Sequence, residues 1–140
     1  LEAPEHAGLR DCTRDLNRLY RAQAQLHGSD CDPGGFRWVD LHNADESVWA
    51  FARCAVGADT GAPITCIFNA TPVPRDAYGI GVAGAGEYLK LFDSDHAAFG
   101  GSGYNRQSAT QAVRQDAQGY PYSLRLDLPP LGALFFIGPA

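Results

Sequence analysis

Tyr78–Tyr88 reads YGIGVAGAGEY, and Gly79, Gly81 and Gly84 within it satisfy G-x-G-x-x-G. Glycines at that spacing let backbone N–H groups approach the pyrophosphate of a dinucleotide at a helix N-terminus. The chemistry needs a buried strand before the loop, a helix after it, and an acidic residue about 20 positions further on. Here TPVPRDAY precedes Gly79, and Pro72 and Pro74 interrupt any buried parallel strand. EYLKLFDSD follows Gly86 and is too short for the required helix. With no βαβ pattern downstream, the three glycines are read as part of a hairpin, Tyr78–Val82 turning through residues 83–86 into Glu87–Phe92.

Asp93, Asp95 and His96, in FDSDHAAFGGSG, have the types of an acid–base cluster. The Ser, Gly and Asp around them instead suit side chains that cap a turn at a strand end. Asp45 and Glu46 read likewise as turn carboxylates. Asn69, closing CIFN before TPVP, reads as satisfying backbone groups in the turn the prolines create. The four histidines, at 6, 27, 42 and 96, have no metal-ligand spacing, and there is no G-x-S-x-G, H-E-x-x-H or P-loop. No catalytic residue, metal site or cofactor is expected. Exposed rings can stack on sugar faces, and Trp38, Tyr78, Tyr88, Tyr104, Tyr120 and Tyr122 form the pool, although for any one of them core packing or a rim position is the better reading. Trp38, Tyr88 and Tyr104 are the candidate carbohydrate-binding residues.

The elements that must position these residues are mostly strands. One helix is expected over Pro4–His27, where Leu9, Cys12, Leu16, Leu19 and Leu26 fall on one stripe. Glu2 and Glu5 stand early and Arg18 and Arg21 late, as the helix dipole favours, with Gly28 placed as a C-terminal cap. Asp11–Arg14 and Asp15–Arg18 can pair on the wet face. The apolar stripe calls for a partner. After CDPGG the period changes, and Phe36–Asp40, Ser47–Cys54, Ile64–Asn69, Tyr78–Val82, Glu87–Phe92, Tyr122–Leu128 and Leu131–Ile137 read as short strands between Gly, Pro, Asn and Asp clusters. Ser47–Cys54 carries Trp49 and Phe51 on one face and Val48, Ala50 and Ala52 on the other, so it is expected at a sheet centre, covered on both sides. Residues 93–119 read as the longest and most mobile loop. The fold class is mainly β: an antiparallel β-sandwich with one N-terminal α-helix.

Composition sets the limits. A net charge of −5 over 140 residues, with a single lysine, argues against a nucleic-acid partner. No apolar run approaches a membrane helix. Cys12, Cys31, Cys54 and Cys66 form no C-x-x-C, and three of them fall in apolar stripes or strand-like runs. They are read as free thiols rather than two disulfides, which implies a reducing compartment. The chain has no methionine and begins at Leu1, so a fragment of something longer is expected.

Laid out in order, RDLNRLYRAQAQLH (Arg14–His27), DPGGFRWVDLHNADESVWAFAR (Asp32–Arg53), CIFNATPVPRDAYGIGVAGAGEY (Cys66–Tyr88), FDSDHAAFGGSGYN (Phe92–Asn105) and PYSLRLDLPPLGALFF (Pro121–Phe136) resemble the C-terminal end of bacterial 1,4-α-glucan (glycogen) branching enzymes, in the α-amylase superfamily. Ala70 and Trp49 depart from the family pattern, which has Phe and an aliphatic residue there. The resemblance implies that residues 1–30 are the end of a (β/α) barrel's last helix and 31–140 a C-terminal all-β sandwich of the α-amylase type. It implies a cytoplasmic parent that transfers α-1,4-glucan segments to make α-1,6 branches. In such enzymes the catalytic carboxylates lie on the barrel, so none carries over to this chain. The expected partners are that barrel, α-glucan, and a second copy through the exposed helix. The competing reading is a stand-alone α-glucan-binding module.

Overall fold

The computed structural model describes residues 3–57 and 61–139. The helix α1 covers Pro4–Ala22, and the strands are β1 (Phe36–Asp40), β2 (Val48–Arg53), β3 (Ile64–Asn69), β4 (Arg75–Val82), β5 (Glu87–Asp93), β6 (Ala109–Gln111), β7 (Tyr122–Leu128) and β8 (Gly132–Ile137). A six-stranded antiparallel sheet runs β1-β2-β3-β8-β5-β6, and β4 and β7 form a second, two-stranded sheet. The fold is thus mainly β, with all pairings antiparallel and a single α-helix among the described residues.

The core lies between the two sheets, and alternation explains which residues reach it. From the large sheet come Val48, Ala50, Ala52, Ile67, Leu134 and Phe136; from the small one come Ile80, Val82, Leu124, Leu126 and Leu128. The Leu124/Leu126/Leu128 alternation expected of Tyr122–Leu128 is present, with Arg125 exposed between buried leucines. β2 is an inner strand as expected, flanked by β1 and β3, but it is not fully covered on both sides: Val48, Ala50 and Ala52 are buried while Trp49 and Phe51 are only half-buried.

Four expectations need correction. Helix α1 stops at Ala22 rather than His27, because Gln23 turns extended and a short 3₁₀ turn, Ala24–Leu26, follows. Gly28 closes that turn, its N–H donating to Ala24 O at 2.7 Å, instead of capping the long helix. The glycine-rich stretch is not a hairpin: β4 pairs with β7 and β5 with β6 and β8, so residues 83–86 carry the chain from one sheet to the other. Gly81 is demanded by packing, since a Cβ there would stand 2.3 Å from Ala117 O. Finally, residues 94–108 are tied down rather than free, and β6, which pairs with the first residues of β5, follows them. Lys90 Nζ donates to Asp93 Oδ2, Asn105 O and Asn105 Oδ1, each at 3.0 Å, and Asn105 Nδ2 donates to Asp127 O at 2.7 Å. Sequence period had no way to reveal a loop fastened by one half-buried lysine. Glu2 lies outside the described residues.

Candidate functional site: an uncovered aromatic face

The large sheet is apolar on both faces, and only one of them meets the second sheet. Residues of β1, β2, β3 and β8 that alternate away from the core are Phe36, Trp38, Trp49, Phe51, Cys66, Phe68 and Phe135. Their rings form a continuous array: Trp49 stacks on Phe68 with centroids 5.5 Å apart, Phe68 on Phe51 at 5.7 Å, and Phe51 on Phe36 at 5.0 Å. Phe135 meets Phe68 edge-on and continues to Phe92 at 5.3 Å. Such a surface is costly to leave wet, because each ring carries a large apolar area.

Helix α1 lies against this side of the sheet and is fastened at both ends. At its start Gly8 is buried against the 3₁₀ turn Ala97–Phe99; an added Cβ would stand 2.2 Å from Phe99 O. Beyond its end, Gln25 Nε2 donates to Ala62 O at 2.9 Å, and the Arg53 guanidinium donates to Gln25 O, Leu26 O and Asp30. Between the anchors the helix leaves an apolar groove of about 390 Å³, with Leu16, Tyr20 and Leu26 on one wall and Phe51, Cys66 and Phe135 on the other. Burial beneath the helix pushes the Cys66 thiol up to about 12, although the nearby Arg53 charge acts the other way. Leu9 is 68% exposed, so part of the stripe finds no partner among the described residues. The Asp11–Arg14 and Asp15–Arg18 pairs form as expected, at 2.9 and 3.4 Å.

The candidate chemistry dissolves into turn capping. Asp93 Oδ1 accepts from Asp95 N at 2.9 Å while its other oxygen takes Lys90. Asp95 accepts from Ser102 N, Ser102 Oγ and Tyr104 N, and His96 Nδ1 accepts from Ala98 N. Asn69 donates to Val73 O and Pro129 O and accepts from Thr71, the turn role its context suggests. Glu46 bonds to Asn43 and Arg75. Tyr78, pushed up to about 12 chiefly by burial and also by the Asp40 and Glu46 carboxylates, donates to Asp40. The four cysteines are unpaired in this structure.

The three rings singled out from the sequence lie apart. Trp38 is 48% exposed, on the edge strand of the aromatic face. Tyr88 is 5% exposed, its hydroxyl donating to Gly84 O at 3.2 Å. Tyr104 donates to Asp76 from the fastened loop. The residues that dominate the uncovered face are instead phenylalanines, Phe51, Phe68 and Phe135. Trp49 and Phe51 alternating in β2 were the signal available for them.

The family model described as "Alpha amylase, C-terminal all-beta domain" matches residues 38–137. The chain belongs to that family. Over 132 residues it is 46% identical to the 1,4-alpha-glucan branching enzyme GlgB of Thiobacillus denitrificans, which covers 94% of this chain and 18% of that protein. The GlgB of Roseobacter denitrificans is 42% identical over 136 residues, 97% of this chain and 18% of the relative. That of Aromatoleum aromaticum is 44% identical over 137 residues, 98% and 21% respectively. The chain therefore spans about a fifth of the length of these relatives. The architecture of an α-amylase C-terminal all-β domain is the one described above. No described helix is long and apolar enough to cross a membrane.

Proposed function

We propose that this chain is the non-catalytic C-terminal domain of a glycogen-type 1,4-α-glucan branching enzyme and that it serves to support the catalytic barrel. Residues 1–30, which include helix α1 and the turn after it, are the end of the barrel and 31–140 the sandwich. The observation that carries the reading is the aromatic face, only half-buried with α1 fastened across it: a sheet apolar on both sides, one side incompletely covered. A barrel preceding the sandwich in the same chain supplies that layer, and its packing fills the groove of about 390 Å³ beneath the helix. Glycosyl transfer by paired carboxylates about 5–5.5 Å apart belongs to the barrel. Asp93 and Asp95 are engaged in turns and in the ion pair with Lys90, which agrees with a supporting role.

Within that role, the chain acts in the cytoplasm, the reducing compartment that suits four unpaired thiols. Trp38, on the rim of the aromatic face, is the surface ring best exposed to meet a long α-glucan. Without its barrel the chain self-associates through the exposed helix stripe. The test of the central role is an iodine-stain branching assay on amylose with residues 1–140 alone. No change in the glucan–iodine spectrum is expected, and measurable branching by this chain would overturn the proposal.

A further inference from the structure

Away from the aromatic face, the two sheets part at one end of the sandwich and leave a cleft of about 240 Å³. Its walls include Arg37, Thr65, Val82, Ala83, Tyr88 and Tyr120. The volume lies below the range of about 300–1,000 Å³ typical of sites for drug-sized ligands, so it suits a single ring. Thr65 faces the inner side of the large sheet, in register with the buried Ala52, and is only 4% exposed. Its hydroxyl makes no hydrogen bond among the described residues and is not one of the fully buried unpaired polar atoms, Arg75 Nε and Ser123 Oγ, so it opens on the cleft. The Tyr88 phenol has committed its proton to Gly84 O, leaving its oxygen as an acceptor. The Arg37 guanidinium, whose described side-chain contact is a 3.5 Å bond to Cys54 Sγ, supplies donors.

We infer that this cleft is a subsite for one neutral hexopyranose unit, such as the end of an α-glucan branch; the sugar class rests on the branching-enzyme reading above. The chemistry selects it in three ways. Rings and aliphatic walls from Tyr88, Tyr120 and Val82 match the CH-rich faces of a pyranose. The Thr65 and Tyr88 oxygens need donors as well as acceptors from the ligand, and sugar hydroxyls offer both. A carboxylate or phosphate could satisfy Arg37 but would set acceptor against acceptor at Tyr88. One ring of this size is expected to bind in the millimolar range.

The test is a ¹H–¹⁵N NMR titration of residues 1–140 with maltose. Amide shifts are expected to cluster at Arg37, Thr65 and residues 81–84, with saturation in the millimolar range. Thr65→Val keeps the side-chain shape and removes the hydroxyl; it should weaken binding about fivefold to tenfold. Ala83→Trp, at an exposed rim position, should block the cleft. Arg18→Ala, on the exposed side of helix α1, should leave the shifts unchanged. An absence of saturable shifts, shifts centred on Trp38, or both cleft variants binding like the parent would each overturn the subsite. Because the titration uses this chain alone, it reads the cleft independently of whether the domain supports a barrel.

Discussion

At the scale of single residues, the polar side chains that could have been catalytic are spent on holding turns. Asp95 is the clearest. Burial raises its pKa, but the bonds it accepts from the Ser102 hydroxyl and from the backbone N–H groups of Ser102, Tyr104 and Gly103 outweigh that and hold it below the ordinary value. A carboxylate lowered on folding contributes stability above its unfolded pKa of about 3.9 and loses it as pH falls through the folded value. Asp95→Asn should therefore flatten the loss of stability on acidification, measured as the difference between urea midpoints at pH 6 and pH 3. An unchanged difference would mean that the nest around Asp95 is energetically silent. These turn roles were legible in the sequence, because Asp, Ser and Gly crowd the end of β5. The Lys90 bond to Asn105 was not, since it joins residues 15 apart through a loop without period.

At the scale of elements, the contact between α1 and the 3₁₀ turn Ala97–Phe99 sets two effects against each other. Replacing Gly8 by Ala gains up to about 1 kcal/mol of helix propensity. The new Cβ, however, would sit 2.2 Å from a backbone oxygen, and overpacking of that kind costs about 1–3 kcal/mol. Backbone cannot rotate away as a flexible side chain can, so the clash is expected to win: Gly8→Ala should lower the melting temperature. A rise would show that the helix is not seated on the turn. Strand positions were readable because alternation in β2 and β7 states which face is buried. Pairing partners were less so. That β4 and β5, adjacent in sequence, join different sheets depends on long-range partners, β7 for one and β8 for the other. The end of α1 at Ala22 was hidden for a related reason: Gln25 leaves the helical path to reach Ala62, and Arg53 holds the carbonyls of Gln25 and Leu26.

At the scale of the whole molecule, one face of the large sheet is only half-covered by α1, and Leu9, Leu16 and Tyr20 of that helix are exposed. Leu9, at 68% exposure, is where the proposed self-association would place a second copy against the helix. Sedimentation velocity should find concentration-dependent dimers that Leu9→Asp returns to monomer without altering the melting temperature; monomers at all concentrations would remove self-association from the account. The fold class and the family were both open to a reading of the chain. The breadth of the aromatic face was not, because Phe36, Phe51, Phe68 and Phe135 come from four strands whose order only the sheet reveals.

The most direct measurement is hydroxyl-radical footprinting of this chain alone and spliced into Thiobacillus denitrificans GlgB in place of its 132 matching residues. If the half-covered side of the large sheet is where a barrel rests, oxidation of Leu9, Trp49 and Phe68 falls several-fold in the spliced protein while Arg125, on the small sheet, is unaffected. Equal oxidation of Leu9, Trp49 and Phe68 in both forms would contradict it.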